Sequence, residues 1–228
     1  AIRRNPCRAR AMVVIDQEVV EHDEFTRVID HREHGVEDLL PDDPIGTVAQ
    51  KLVRVNVSDI IAKGGKPDAA LLALVWPKSR PVAQIEEFSR ALGADLARWG
   101  AHLVGGDTTS TDGPLTLSLT LLGRVGPRGP VRRSGAKAGD DLWVSGTIGD
   151  GWLGLKAATG GFDALNAEAR NFLVSSYRVP QPPRLPMADF IATHASASID
   201  VSDGLVADAG RDGRNRPHLP RRADLRAA

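Results

Sequence analysis

The sequence holds a single cysteine, Cys7. That excludes an internal disulfide framework and any zinc site built on several thiolates. No apolar run approaches the roughly 20 residues needed to span a bilayer, so no membrane partner is expected. The opening stretch Ala1-Ile2-Arg3-Arg4-Asn5-Pro6-Cys7 is basic but has no apolar core, so it does not read as a secretory signal. A cytoplasmic location follows as the default. There is no Gly-x-x-x-x-Gly-Lys-Ser/Thr run, which argues against a Walker-type nucleotide loop. A Gly-x-Ser-x-Gly elbow is also missing, and the six histidines show no zinc-ligand spacing. Internal repeats are absent.

What is present is unevenly spread. The formal net charge is zero, yet residues 16–43 carry eleven acids against Arg27 and Arg32, and the last twenty residues carry six arginines against two aspartates. Such oppositely charged ends read as solvated segments. The basic tail has no aromatic residues and no nucleic-acid motif, so nucleic acid is not an expected partner.

Between these ends the pattern becomes regular. Val48, Leu52, Val55 and Asp59 share one helical face, and Gly64-Gly65 with Pro67 beyond stops the helix. Ala69 to Val75 is a short apolar run between two prolines, as in a buried strand. Ile85, Phe88, Leu92, Leu96 and Trp99 predict an amphipathic helix over Val82–Trp99, closed by Gly100. A strand from His102 to Val104 leads into Gly105-Gly106-Asp107. Leu115, Leu117, Leu119 and Leu121 alternate with polar residues, which predicts a strand with a leucine face. An uncovered face of that kind would serve as an interface, so a homodimer is expected.

The turn-rich run Gly126-Pro127-Arg128-Gly129-Pro130 marks a boundary between domains 1–127 and 128–228. Past it, strands are expected at Leu142–Val144 and Ser198–Asp200, and helices at Gly151–Ala158, Asn166–Ser175 and Pro186–His194. No periodicity survives beyond about residue 209, and a disordered tail is expected there.

Three loops place an aspartate beside small or hydroxyl residues: Ser58-Asp59, Gly105-Gly106-Asp107-Thr108-Thr109, and Asp200-Val201-Ser202-Asp203-Gly204. Magnesium takes hard oxygen ligands, commonly one or two carboxylates with phosphate oxygens and water. Glycines beside them let backbone amides approach a phosphate. Taken singly, each loop has a plainer reading. Asp203 could cap a helix, Gly-Gly-Asp could be a turn, and Ser58-Asp59 could be the polar end of a helix.

Four motifs in order carry more than any one. Val55-Asn56-Val57-Ser58-Asp59-Ile60-Ile61-Ala62-Lys63-Gly64-Gly65-Lys66-Pro67 resembles the Asn-x-Ser-Asp helix of the thiamine-monophosphate kinases. Leu103-Val104-Gly105-Gly106-Asp107-Thr108-Thr109 is similar to that family's nucleotide-site strand. Arg133-Ser134-Gly135 to Gly149 resembles the entry to its second domain, and Asp200-Val201-Ser202-Asp203-Gly204-Leu205 its late metal loop. Together they cover about residues 41–208.

The resemblance implies an α+β fold of the two-domain aminoimidazole ribonucleotide synthetase type, with a mixed sheet and helices on one face. The first domain would dimerise. The activity implied is ATP-dependent phosphorylation of thiamine monophosphate by direct in-line transfer, with no covalent enzyme intermediate. Asp30, Asp59, Asp107, Asp200 and Asp203 would be magnesium ligands. Gly106, Asp107, Arg133 and Ser202 would contact ATP.

The resemblance also has gaps. Before Asp30 nothing matches the family's Gly-Asp-Asp-Ala loop, and Glu37 stands where the family has a substrate-contacting histidine. The second domain is expected to be incomplete, and the arginine- and proline-rich tail has the texture of a shifted reading frame. Two alternatives stay open: a nucleotide-binding remnant without catalysis, and a related ATPase with another phosphate acceptor.

Overall fold

The computed structural model describes residues 19–22, 25–28, 39–137, 139–202 and 204–210. A short antiparallel hairpin, β1 (Val19–His22) and β2 (Phe25–Val28), lies beside β5. The main body begins with α1 (Ile45–Ala62). Gly64 follows with φ +72°, the left-handed conformation that ends helices, and its backbone lies against Ala192. A side chain there would be strained twice over.

β3 (Lys66–Pro77), α2 (Val82–Arg98) and β4 (His102–Thr111) make a βαβ unit with β3 and β4 parallel. β5 (Thr116–Arg124) returns antiparallel to the other edge of β3, giving the order β4-β3-β5. The sheet is mixed, as expected. The strand beginning at His102 runs on through Gly105, Gly106 and Asp107, farther than its apolar start suggested, because β3 supplies a continuous ladder to Thr111.

One face of this sheet is the core. Ala70, Leu72, Leu74 and Trp76 of β3 and Leu117, Leu119 and Leu121 of β5 are buried with Val48, Leu52, Val53 and Val57 of α1 and Phe88, Leu92 and Leu96 of α2. Trp76 meets Phe88 edge to face, with ring centroids 6.2 Å apart. The leucine face of β5 is therefore covered by helices of its own chain, and it gives no support to a dimer. A buried Leu contributes about 1.5–3 kcal/mol relative to an exposed one, which is why the alternation is satisfied internally.

The second half is mostly helical: a 3-10 turn at Arg133–Gly135, then α3 (Asp150–Ala158), α4 (Ala167–Arg178), α5 (Pro186–His194) and α6 (Leu205–Gly210). Asn166 caps α4 by accepting from the Ala169 amide at 2.8 Å. Gly154 lets α3 and α4 touch, since a Cβ there would stand 2.0 Å from the Leu173 carbonyl oxygen. α5 docks on the main core through Ala188 and Ile191.

Neither strand expected in this half is formed. Leu142–Val144 is exposed and Ser198–Asp200 is buried, and both lack a ladder partner among the described residues. A strand exists only by pairing, so apolar sequence alone does not make one. Trp143, Trp152 and Phe172 are left open to solvent at 56%, 60% and 59%. No helix among the described residues is long and apolar enough to cross a membrane.

Candidate functional site

Asp59 sits in the last turn of α1 and is 1% exposed. One turn earlier Asn56, also buried, spends its amide on the Leu52 carbonyl at 2.8 Å. One turn later Lys63 is buried as well, and its carbonyl accepts from the Val131 amide at 3.0 Å. The end of α1 is thus a polar seam against the chain leading into the second half. Burying carboxylate and ammonium groups is costly unless they are paired or ligated.

β4 brings the second motif. Leu103 pairs with Ala70 and Gly105 with Leu71, so the register slips by one residue at Val104. Gly106 then takes φ +147°, and a Cβ on it would lie 2.0 Å from the Leu72 carbonyl oxygen. Only glycine fits there, because a side chain would run into β3; β4 itself lies open at the sheet edge, with residues 102–110 exposed. Asp107, opposite Ala73, is exposed, and its Oδ1 accepts from the Thr108 amide at 2.9 Å. That bond holds one carboxylate oxygen beside the strand.

The third motif comes from the second half. Arg133 stands in the 3-10 turn, which packs so closely that a Cβ on Gly135 would be 2.0 Å from the Ser196 carbonyl oxygen. Ser196 also donates its hydroxyl to Asp140. This contact ties the turn bearing Arg133 to the run that leads into Asp200. Asp200 is buried and Ser202 exposed. The Ser202 amide donates to Asp208 Oδ2 at 2.8 Å, and the Asp208 amide in turn bonds the Gly204 carbonyl at 3.0 Å. Asp208, only 4% exposed, is the residue that shapes this loop. Its signal in the sequence was weak: an acidic residue six positions on, inside a helix whose start could not be located without the fold.

Asp30 and Asp203 lie outside the described residues. Asp59, Asp107 and Asp200 are hard-oxygen donors of the kind magnesium takes. The described residues nevertheless gather no group of three His, Cys, Asp or Glu side chains placed to hold a metal ion. The better-defined feature is β4 itself, an exposed edge strand bearing Gly105, Gly106 and Asp107.

Comparison with known proteins agrees with this layout. The model of the AIR synthase related protein, N-terminal domain, matches residues 13–125. A thiamine-monophosphate kinase of Caulobacter vibrioides is 45% identical over 170 residues, which is 75% of this chain and 47% of that protein. The crystal structure of a thiamine-monophosphate kinase from Stenotrophomonas maltophilia superposes with a TM-score of 0.71 at 35% identity, covering 82% of this chain and 58% of that one. A structure of AaThiL complexed with AMPPCP and TMP gives 0.75 at 31% identity, covering 84% and 61%. The chain spans about half the length of the curated relatives it matches. The order of motifs, the mixed sheet with its exposed edge strand and these likenesses agree, and the chain belongs to the thiamine-monophosphate kinase family.

Proposed function

We propose that this chain carries the nucleotide-binding part of a kinase that phosphorylates thiamine monophosphate to thiamine diphosphate at the expense of ATP. A phosphate oxygen of the acceptor attacks the γ-phosphorus, the bond from that phosphorus to the β–γ bridging oxygen breaks, and ADP leaves. The observation that carries the reading is β4, an edge strand of the described sheet whose residues 102–110 are exposed and which bears Gly105, Gly106 and Asp107. A structural relative with AMPPCP and TMP bound supports it.

In this reading Gly106, Asp107, Arg133 and Ser202 contact ATP, and the planar guanidinium of Arg133 neutralises phosphate charge. Magnesium would be held by Asp59, Asp107 and Asp200 together with Asp30 and Asp203, and when bound it would offset the charge of the transferring phosphoryl group. The joint at 126–130 separates the two domains, and the reaction is cytoplasmic. Two copies pair through the sheet away from the helices, where Leu71, Leu103 and Val104 are exposed. Sedimentation at micromolar concentration should give a dimer, and a monomer would remove that part.

The test of activity is direct. The chain with ATP, magnesium and thiamine monophosphate should form ADP and thiamine diphosphate in equal amounts. ADP without thiamine diphosphate would point to another acceptor. A second reading, nucleotide binding without transfer, is favoured by Glu37, which puts negative charge where the family motif has histidine. AMPPCP binding with no ADP formation would establish it.

A further inference from the structure

The end of α4 is fastened to the region around the start of α1 by polar contacts that span more than a hundred residues of chain. Arg178 donates from Nε to Asp43 Oδ1 at 2.7 Å and from Nη2 to Asp42 Oδ2 at 2.8 Å. Asp43 is 3% exposed, and its other oxygen accepts from the Leu40 amide at 3.0 Å. Beside this pair, Lys51 of α1 lies 3.8 Å over the ring of Tyr177. Arg54, locked by two bonds to Asp95 of α2, reaches on to the Pro180 carbonyl at 3.4 Å.

We propose that Arg178 is a positioning residue which sets the orientation of the second half of the nucleotide site against the first. The proposal rests on the kinase reading for what it positions. α1 continues to Asp59, while the chain leaving Arg178 continues through Pro180 and α5 to Asp200 and Ser202. Arg178 is therefore one tie between the element bearing one acidic loop and the segment delivering another, and it joins them through a charged fork.

Geometry and chemistry both favour this role over simple adhesion. Asp42 is exposed, and such an ion pair contributes about 0–1 kcal/mol, so its attraction by itself would add little. A guanidinium, however, is a rigid planar fork, and here two of its nitrogens address two different carboxylates. Asp43 is held from its other side by the Leu40 amide, so the fork meets a fixed partner. Distance and angle are set together. Burial opposes the charge on Arg178, but its bonds to Asp43 and Asp42 outweigh that and raise its pKa above the ordinary value. A raised value on a cation means the contribution is complete below the guanidinium's ordinary pKa and is lost only above it. Loss of the Arg178 proton therefore does not release the tie at any pH at which the protein is handled.

The experiment uses spin labels at Ser89 on α2 and Asn171 on α4, both exposed, in a Cys7→Ser background of the full chain. The wild-type residue at 178 should give a narrow distance distribution, and Arg178→Gln a broadened or shifted one at temperatures where circular dichroism shows the chain folded. AMPPCP affinity should fall at least about tenfold in the same variant. Arg178→Lys, which keeps the charge without the fork, should restore stability but not the narrow distribution. An Arg178→Gln chain with unchanged distances and unchanged AMPPCP affinity overturns the proposal, as does full recovery of the distribution by lysine. If Arg178→Gln does not fold, Asp42→Asn at an exposed carboxylate carries the test: a change in the same direction supports the tie, and none overturns it. Failure of the wild-type chain to bind AMPPCP would sink the kinase reading, while the distance measurement would still decide whether Arg178 orients the two halves.

Discussion

Asp107 and Gly106 are neighbours, yet they should fail in different ways when changed. Asp107 is exposed and its side chain bonds the Thr108 amide of its own strand, so Asp107→Asn should leave the fold intact. It removes one negative charge, and magnesium-AMPPCP binding should weaken at least tenfold, about 1.4 kcal/mol. Calorimetry giving an unchanged affinity would take Asp107 out of the site. Gly106→Ala adds only a methyl group, but it forces a backbone conformation that costs on the order of 1–3 kcal/mol and drives a carbon into the Leu72 carbonyl. Its melting temperature should drop together with nucleotide binding. A variant as stable as the parent would mean that β4 has a freer path than the register implies. At this scale the residue types were legible in the sequence, whereas their surroundings were not. Asp208 shows why: its part in the loop depends on where α6 begins, and one acidic residue in a short helix does not announce that.

At the scale of elements, legibility followed periodicity. α1, α2 and α5 lie close to where apolar spacing and Gly or Pro stops placed them, because a helix satisfies its own backbone and needs only one sticky face. β3 and β5 were also legible, β3 as an apolar run between two prolines and β5 from leucines at every second position. Leu142–Val144 and Ser198–Asp200 were misread because a strand's hydrogen bonds lie outside itself. The partner of β5's leucine face was misjudged for a related reason: alternation says that a face is buried, never what buries it. Here α1 does, so Leu119→Ala should open a cavity inside a single chain. The expected loss is about 2–5 kcal/mol, read by chemical denaturation, and it should not depend on protein concentration. A loss that grows on dilution would return that face to an interface.

Across the whole molecule, burial is unequal. The sheet, α1 and α2 share one core with α5, but α3, α4 and the run 142–148 leave Trp143, Ile148, Trp152 and Phe172 exposed. Fewer buried contacts mean lower local stability and easier opening. Limited proteolysis should cut first within 139–149, where neither helix nor strand protects the backbone, and should leave a fragment containing 39–125. Uniform resistance out to residue 210, with one cooperative melting transition, would show that the second half is as firmly held as the first. The sequence by itself determined the family, the α+β character, the helices and the identity of the acidic and glycine-rich loops. Those are properties of residue type, spacing and order along the chain. Only the tertiary structure decided that β5 buries its leucines under α1, that Gly106 lies against Leu72, that Asp208 shapes the Ser202 loop and that Arg178 clasps Asp42 and Asp43. Each of those depends on which distant segment comes to lie alongside, and no local pattern encodes the far partner.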